Sequence, residues 1–346
     1  MRVLHILGSD RFSGAENVAC QIIAMFSGDA DLKMAYCSRD GQIREALAAR
    51  GVDFYPIPEL SAKALKKVIN EINPDVLHAH DMRASFVAVR AARGKIPVIS
   101  HIHGNSALAH GINVKTLAYR YAAKRAKHII WVSKSSLEDY RFRSKVVDKS
   151  TVLGNVVSIS EVENKALADT NEYEYDAVFV GRLVYEKNPL KFLRIINIVK
   201  EKLPQLRVCV LGDGYLREDF KAEIENLGLS HIIQMRGFVE NPMKIMRSSS
   251  VMIISSVSEG LPMCALEAMA LGVPIVSTPI DGLNSIIENG VNGYLSNNES
   301  ELAELVVRII SDKETREEMS QNARVAAKKI NNQENYKDKL REIYGI

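Results

Sequence analysis

Short apolar runs alternate with stretches of helical period through the first half of the chain: VLHIL leads into 15–27, MAYCS into 41–50, VDFYPI into 61–72, DVLHAH into 82–93, PVISHI into 114–126 and HIIWVS into 134–141. Continuous apolar runs of four to six residues read as strands buried on both faces. The amphipathic stretches between them read as crossover helices, so the repeat predicts a parallel sheet. From about Ser158 to Tyr173 the chain is polar, rich in Glu, Asn and Asp, and the alternation stops, which marks a linker. It restarts with DAVFV before 187–202, RVCVLG before 214–227, HIIQMRG before 240–247, VMIIS before 262–271 and PIVST before 282–288. A GYLS strand and helical sequence from Glu299 onward complete the second series. The expected fold is α/β, with two Rossmann-like doubly wound parallel-sheet domains over 1–157 and 158–330 facing across a cleft. In such sheets ligands lie beyond the carboxyl ends of the strands, so chemistry is sought in the loops that follow them.

Composition leaves this picture standing. The chain has 346 residues, enough for two cores, with 47% hydrophobic and 25% charged residues, and no long polar window that would signal disorder. Cys20, Cys37, Cys209 and Cys264 are far apart and include no CxxC pair, which suits reduced thiols better than a disulfide framework or a thiolate zinc site. The opening MRVLHILGSD is too short an apolar run for a signal peptide, and no run of about 18 apolar residues occurs, so a cytoplasmic protein is expected.

Charge adds an asymmetry. Residues 1–157 hold 23 Lys and Arg against 14 Asp and Glu, although the whole chain carries only +3. Much of the excess lies between Lys115 and Lys149, with Arg120, Lys124, Arg125 and Lys127 on one helix and Arg141, Arg143 and Lys145 after the next. Such a surface is either a solvated face or one that meets anionic lipid or an anionic acceptor.

The most informative stretch is SSVSEGLPMCALEAMALGVPIVST, residues 255–278. After the strand comes a turn with Glu259 and Gly260, then a helix that Pro262 can open at its first position and Gly272 can close. Its first amides, near Leu261, Met263 and Cys264, are free donors suited to an anionic or hydroxyl-bearing ligand. Glu267 falls among Ala265, Leu266, Ala268, Met269 and Ala270, where a carboxylate must find donors or stay protonated. A ribose diol would supply two; a nearby Lys, or water, is the plainer alternative. In VGRLVYEKNP, residues 180–189, Gly181 ends a strand and Arg182 and Lys187 follow it. Two cations there can bind a diphosphate and take up the charge that grows as it leaves, with no metal required; singly, each is an ordinary solvated side chain.

Gly181-Arg182-Leu183 with Glu186-Lys187-Asn188, then Glu259-Gly260-Leu261-Pro262 and Glu267-Ala268, resembles the retaining glycosyltransferases of family 4, the GT-B type found in bacterial surface-polysaccharide assembly. Seven residues separate the two glutamates, as that family's motif requires. The resemblance implies that Arg182 and Lys187 bind the donor diphosphate, that Glu259 touches hydroxyls of the donor sugar, and that Glu267 binds the ribose, with the amides of Gly260 to Met263 completing the pocket. It places Gly14, in Ser13-Gly14-Ala15-Glu16, close to the phosphates or acceptor, and His103, in HIHG, near the reacting bond. It further implies that a helix over 331–346 packs back on the first domain. Strand alternation sets His101 with His103 and His78 with His80 on one face, a pattern that also fits plain packing or, with Asp81, metal ligation.

Three positions depart from the family pattern. Ser13 replaces a glycine, Asn284-Ser285 stands where Pro-Glu or a similar acidic residue is frequent, and Asn155 lacks the glycine that usually follows it, implying a stiffer hinge. The function this implies is transfer of a hexosyl unit from a nucleotide diphosphate donor, UDP-linked first among candidates, to an acceptor hydroxyl with retention. Catalytic roles fall to His103, Arg182, Lys187 and Glu259. The expected partners are the nucleotide-sugar donor and a saccharide or lipid-linked saccharide of polysaccharide or lipopolysaccharide synthesis, with peripheral contact to anionic membrane left open. No cofactor, metal or nucleic acid is expected. Two other readings are a nucleotide-sugar 2-epimerase and a non-catalytic nucleotide-sugar-binding protein. A dinucleotide oxidoreductase is disfavoured because the first loop is not GxGxxG.

Overall fold

A computed structural model describes residues 1–104 and 111–346. They divide into two compact units, one of Met1–Asn155 with Gln333–Ile346 and the other of Val156–Asn332.

The first unit holds a seven-stranded sheet of β1 (Arg2–Ile6), β2 (Lys33–Arg39), β3 (Phe54–Ile57), β4 (Val76–His80), β5 (Val98–Ile102), β6 (His128–Trp131) and β7 (Ser150–Val152). Every pairing is parallel and the spatial order is β3-β2-β1-β4-β5-β6-β7. The crossovers carry α1 (Gly14–Met25), α2 (Ile43–Ala48), α3 (Ala62–Ile72), α4 (Asp81–Ala92), α5 (Val114–Arg125) and α6 (Lys134–Glu138). β4 and β5 are buried along their whole length, as central parallel strands covered on both faces must be.

A helix, α7 (Ile159–Ala168), occupies most of the stretch read from sequence as a linker, and the units part earlier, between Asn155 and Val156. Ser158 caps it by accepting from the Glu161 amide, Lys165 pairs with Glu161 at 2.6 Å, and Val162 and Ala166 are buried one turn apart. Ser-x-x-Glu followed by apolar residues four apart is a helix signal that the overall polarity of the stretch masked.

The second unit repeats the architecture with β8 (Tyr175–Val180), β9 (Val208–Leu211), β10 (Ile233–Gly237), β11 (Ser249–Ile254), β12 (Ile275–Ser277) and β13 (Gly293–Leu295), all parallel in the order β10-β9-β8-β11-β12-β13. Its helices are α8 (Pro189–Lys202), α9 (Arg217–Asn226), α10 (Met243–Arg247), α11 (Met263–Leu271), α12 (Asp281–Asn284), α13 (Glu299–Ser311) and α14 (Lys313–Ile330). In each sheet the order reverses once, between β1 and β4 and between β8 and β11. The loops after those strands flank the crevice where doubly wound folds bind ligands.

The last helix, α15 (Gln333–Tyr344), belongs to the first unit and buries Tyr336, Leu340, Ile343 and Tyr344. Inside the second unit the chain enters and leaves side by side, since the Val157 amide donates to Asn331 Oδ1 at 2.7 Å. Among the described residues no helix is long and apolar enough to cross a membrane.

Candidate functional site

In the second unit the loops after β8 and β11 are sewn together. The Val257 amide donates to Glu186 O at 2.9 Å, and the Ser255 hydroxyl is within 3.0 Å of both the Lys187 and Asn188 carbonyls. Lys187 ends a short 3-10 turn, Tyr185–Lys187, and its stem passes over Gly181, where an added Cβ would meet it at 3.4 Å. Its ammonium pairs with Glu259, whose other oxygen accepts from the Ser256 hydroxyl. The pair is largely buried, with side chains 17% and 13% exposed. Burial acts to lower the Lys187 pKa, but Glu259 and Cys264 outweigh it and hold the ammonium above its ordinary range. Arg182, one loop position after Gly181, is exposed and makes no ion pair among the described residues. A guanidinium and an ammonium thus stand together at the switch point.

Pro262 lies outside α11 as its N-cap, in extended conformation, and the helix starts at Met263 rather than at the proline. No side chain caps this end, which leaves the Met263 amide at the helix start open to a ligand. Gly272 closes the helix in the left-handed region at φ 74°, and Arg324 of α14 donates to Leu271 O at 2.8 Å. Glu267 sits mid-helix, 9% exposed, and its carboxyl makes no hydrogen bond among the described residues. Burial raises its carboxyl to about 7, opposed by Lys165 and supported by Glu161 across on α7.

Gly260 is held from the far side by Gly282, where a Cβ would fall 1.6 Å from Gly260 O and 2.7 Å from Leu261 Cα. Both obstacles are backbone, so Gly282→Ala must displace the Gly260 loop. The expected result is a loss of about 1–3 kcal/mol in urea unfolding, the usual range for overpacking, together with weaker ligand binding by this unit. Unchanged stability and binding would mean the two loops do not meet in solution.

In the first unit, Gly14 opens α1 beyond the carboxyl end of β1, and an added Cβ there would meet nothing within 4 Å. Packing within this unit therefore does not demand the glycine. Ser13 does not cap the helix; its hydroxyl turns to Glu16 instead. His103 follows β5, half-buried, and its amide donates to Asp81 Oδ1 at 3.2 Å. Asp81 starts α4 at φ 68°, a left-handed conformation uncommon for a non-glycine residue and worth notice beside a candidate site.

His103 ends a stack of five histidines from three adjacent strands: His5 of β1, His78 and His80 of β4, and His101 and His103 of and after β5. His103 Nε2 meets His80 Nδ1 at 2.6 Å, and His80 Nε2 meets His5 Nδ1 at 3.0 Å. A parallel branch runs from the Tyr344 hydroxyl to His78 Nδ1 at 2.7 Å and from His78 Nε2 to His101 Nδ1 at 3.2 Å. Burial lowers the pKa of all five, and their mutual repulsion adds to this in His5, His78, His80 and His101, so the rings are neutral. A neutral imidazole carries one N–H and one lone pair, so the tautomers of His103, His80 and His5 are locked together, all protonated on Nε2 or all on Nδ1. Alternation along β4 and β5 showed two pairs in the sequence. His5 and Tyr344 escaped it, because their contacts cross strands and, for Tyr344, 266 residues of chain.

Two triplets, His5-His78-His80 and His80-His101-His103, bring ring nitrogens within 4.8 Å of one another, enough in number and separation for a zinc-like ion. Their short contacts are ring-to-ring hydrogen bonds, and the rings are stacked, at 9° for His80 with His103 and 12° for His78 with His80, or tilted, as for His101 with His103 at 32°. The lone pairs point along the chain into the next N–H rather than converging on one point. The arrangement is that of a hydrogen-bonded stack.

Two parallel sheets of this order in one chain constitute the GT-B architecture of glycosyltransferases, and comparison with known proteins agrees. Residues 15–161 match Glycosyltransferase Family 4 and residues 161–326 match Glycosyl transferases group 1. The chain belongs to this glycosyltransferase family. Over 99% of its length it is 24% identical to the UDP-Gal:alpha-D-GlcNAc-diphosphoundecaprenol alpha-1,3-galactosyltransferase of Escherichia coli, covering 96% of that protein. It is 26% identical to a Campylobacter jejuni alpha-1,4-N-acetyl-D-galactosaminyltransferase acting on an undecaprenol-diphosphate-linked saccharide, over 77% of this chain and 73% of the other. Among solved structures, Anabaena Alr3699/HepE in complex with UDP-glucose superposes with a TM-score of 0.83 at 21% identity, over 99% and 98% of the two chains.

Proposed function

We propose that this glycosyltransferase moves a hexosyl unit from a UDP-sugar, with retention at the anomeric carbon, to a hydroxyl of a lipid-linked saccharide in surface-polysaccharide synthesis. The observation that carries the reading is the buried Lys187–Glu259 pair with the unpaired Arg182 beside it, at the switch point of the second sheet and next to an uncapped helix start. Cations and amides there bind a diphosphate; the carboxylate binds sugar hydroxyls; Glu267, a turn and a half further along α11, offers a carboxylate to a ribose diol. HepE, a structural neighbour, holds UDP-glucose, and the relatives from E. coli and C. jejuni act on undecaprenol diphosphate saccharides.

In the proposed reaction the bond from the anomeric carbon to the diphosphate oxygen breaks, and the acceptor oxygen bonds to that carbon on the same face. The departing diphosphate takes the acceptor's proton. Arg182, Lys187 and the amides of Gly260 and of Met263 at the start of α11 stabilise the charge that accumulates on it without a metal, with Leu261 and Pro262 shaping the turn between them. The same reading gives Gly14 of the first unit a role toward the phosphates or acceptor and His103 a role toward the donor sugar, its tautomer coupled to those of His80 and His5.

The direct test is thermal denaturation in EDTA with UDP, GDP and their sugars, followed by NMR of the sugar released on slow donor hydrolysis. Stabilisation by UDP compounds and first appearance of the α-anomer from an α-linked donor are expected. No stabilisation by any nucleotide would sink the donor site, and a β-anomer first would sink retention.

A further inference from the structure

α5 is a helix with its two long faces turned to opposite environments, although its sequence hides this. Thr116, Tyr119, Ala122 and Ala123 are buried on the side that packs toward α4. On the other side Val114 is 84% exposed, Leu117 46% and Tyr121 41%, and Ile112, just before the helix, is 67% exposed. Val114, Leu117 and Tyr121 are spaced three and four apart, so they form one stripe. Other large apolar residues exposed on this chain, such as Leu167, Phe238 and Val325, lie far apart in sequence. Scattered apolar residues need no explanation; a continuous stripe does.

The Tyr121 ring rests edge-on against Phe86 of α4, 5.9 Å between centroids, and the charges on the helix itself are all positive. α5 contains Lys115, Arg120, Lys124 and Arg125 and no acid. Arg125 lies over the Tyr121 ring at 3.8 Å, and Arg120 lies over Phe142 at 4.9 Å, which brings Arg141, Arg143 and Lys145 alongside. Residues 111–149 carry ten Lys and Arg against Glu138, Asp139 and Asp148. Glu138 pairs with Lys134 at 3.4 Å.

We propose that this face of α5 docks on an anionic phospholipid bilayer, with Val114, Leu117 and Tyr121 entering the boundary between headgroups and acyl chains and Arg120, Lys124 and Arg125, which flank that stripe on the helix, on the lipid phosphates. Charge complementarity selects the occupant. A protein partner would ask for acids as well as cations around the apolar centre, whereas a helix lying in the membrane plane has an apolar stripe flanked by Lys and Arg. The inference deepens the lipid-linked acceptor reading and rests on it, because such an acceptor is available only at a membrane face.

Co-sedimentation of the full chain with phosphatidylglycerol-containing and with pure phosphatidylcholine vesicles tests it, in low and in 0.5 M salt. Binding to the anionic vesicles is expected, weakening with salt. Removing each cation, as in Lys124→Gln or Arg125→Gln, should lower partitioning by about five-fold, and Val114→Ser with Leu117→Ser by about ten-fold or more. UDP stabilisation and donor hydrolysis should be unchanged in these variants, since none of the residues assigned to donor binding is on α5. Equal binding to both lipids, undiminished binding by the Ser double variant, or a concentration-dependent dimer lost in that variant without vesicle binding would each overturn the proposal. Loss of donor binding by the wild type would instead overturn the transferase reading.

Discussion

Lys187→Ala is expected to lower turnover by about 10²-fold or more, the scale set by removing one preorganised charge contact to a developing anion, with Arg182→Ala close behind. The two cations differ in how they are held. Lys187 is fixed by its pair with Glu259 and by the Ser255 bonds to its own and the next carbonyl, so its position costs little to maintain at the moment of reaction. Arg182 is exposed and must be ordered by the ligand. The Lys187 contact strengthens as charge moves onto the leaving oxygen, so its loss should fall on kcat more than on KM, while Arg182→Ala should affect both. Lys187→Ala also leaves the Glu259 carboxylate with only the Ser256 hydroxyl, at a stability cost of about 1–3 kcal/mol, below that of a fully buried pair because both groups keep some water. Glu259→Gln separates the effects, since it keeps the Ser256 contact and frees the ammonium. Steady-state kinetics with donor varied read all three variants, and near-normal kcat in Lys187→Ala would remove it from the reaction.

The parts of this protein that were legible from sequence are those carried by local pattern. Both βα series, the turn at Glu259-Gly260 and the cap at Gly272 follow from runs and breakers that act over a few residues. The Ser158–Tyr173 stretch was misread because a surface helix with two buried residues looks polar when averaged, and only its cap and four-residue spacing give it away. Pro262 was placed one position too far into α11, within the usual latitude of helix ends. What the sequence could not show was convergence from distant segments: Ser256 holding Glu259, Gly282 backing Gly260, and Tyr344 reaching His78. The apolar stripe on α5 was hidden for another reason. Tyr119, Ala122 and Ala123 are apolar on its buried face and Val114, Leu117 and Tyr121 on its exposed one, so helical periodicity alone gives no cue to which side meets solvent.

Glu267→Ala is expected to weaken UDP-glucose binding by about 10²-fold or more, as two hydrogen bonds to a charged group are lost, yet the protein should not be less stable above neutral pH. The carboxyl is raised to about 7 because burial disfavours its ionised form and Lys165 only partly offsets this. Between about 4.5 and 7 the folded protein holds a proton that the unfolded chain has released. Stability therefore falls as pH rises through that window, by on the order of 3 kcal/mol in total for this group. Glu267→Gln, neutral throughout, should flatten the fall and be the more stable protein at pH 8. Ligand binding has the opposite sign. A ribose diol donating to Glu267 favours the carboxylate, so affinity should rise with pH and level off above about 7, with a proton released on binding at pH 6. UDP-glucose is the right probe, because the terminal phosphate of UDP itself titrates near 6. Calorimetry in buffers of different ionisation enthalpy measures the proton directly. Binding that is flat with pH in the wild type, or unchanged in Glu267→Gln, would place the ribose elsewhere. A variant that gains stability while losing the donor would identify Glu267 as a group kept at a folding cost for the ligand it binds.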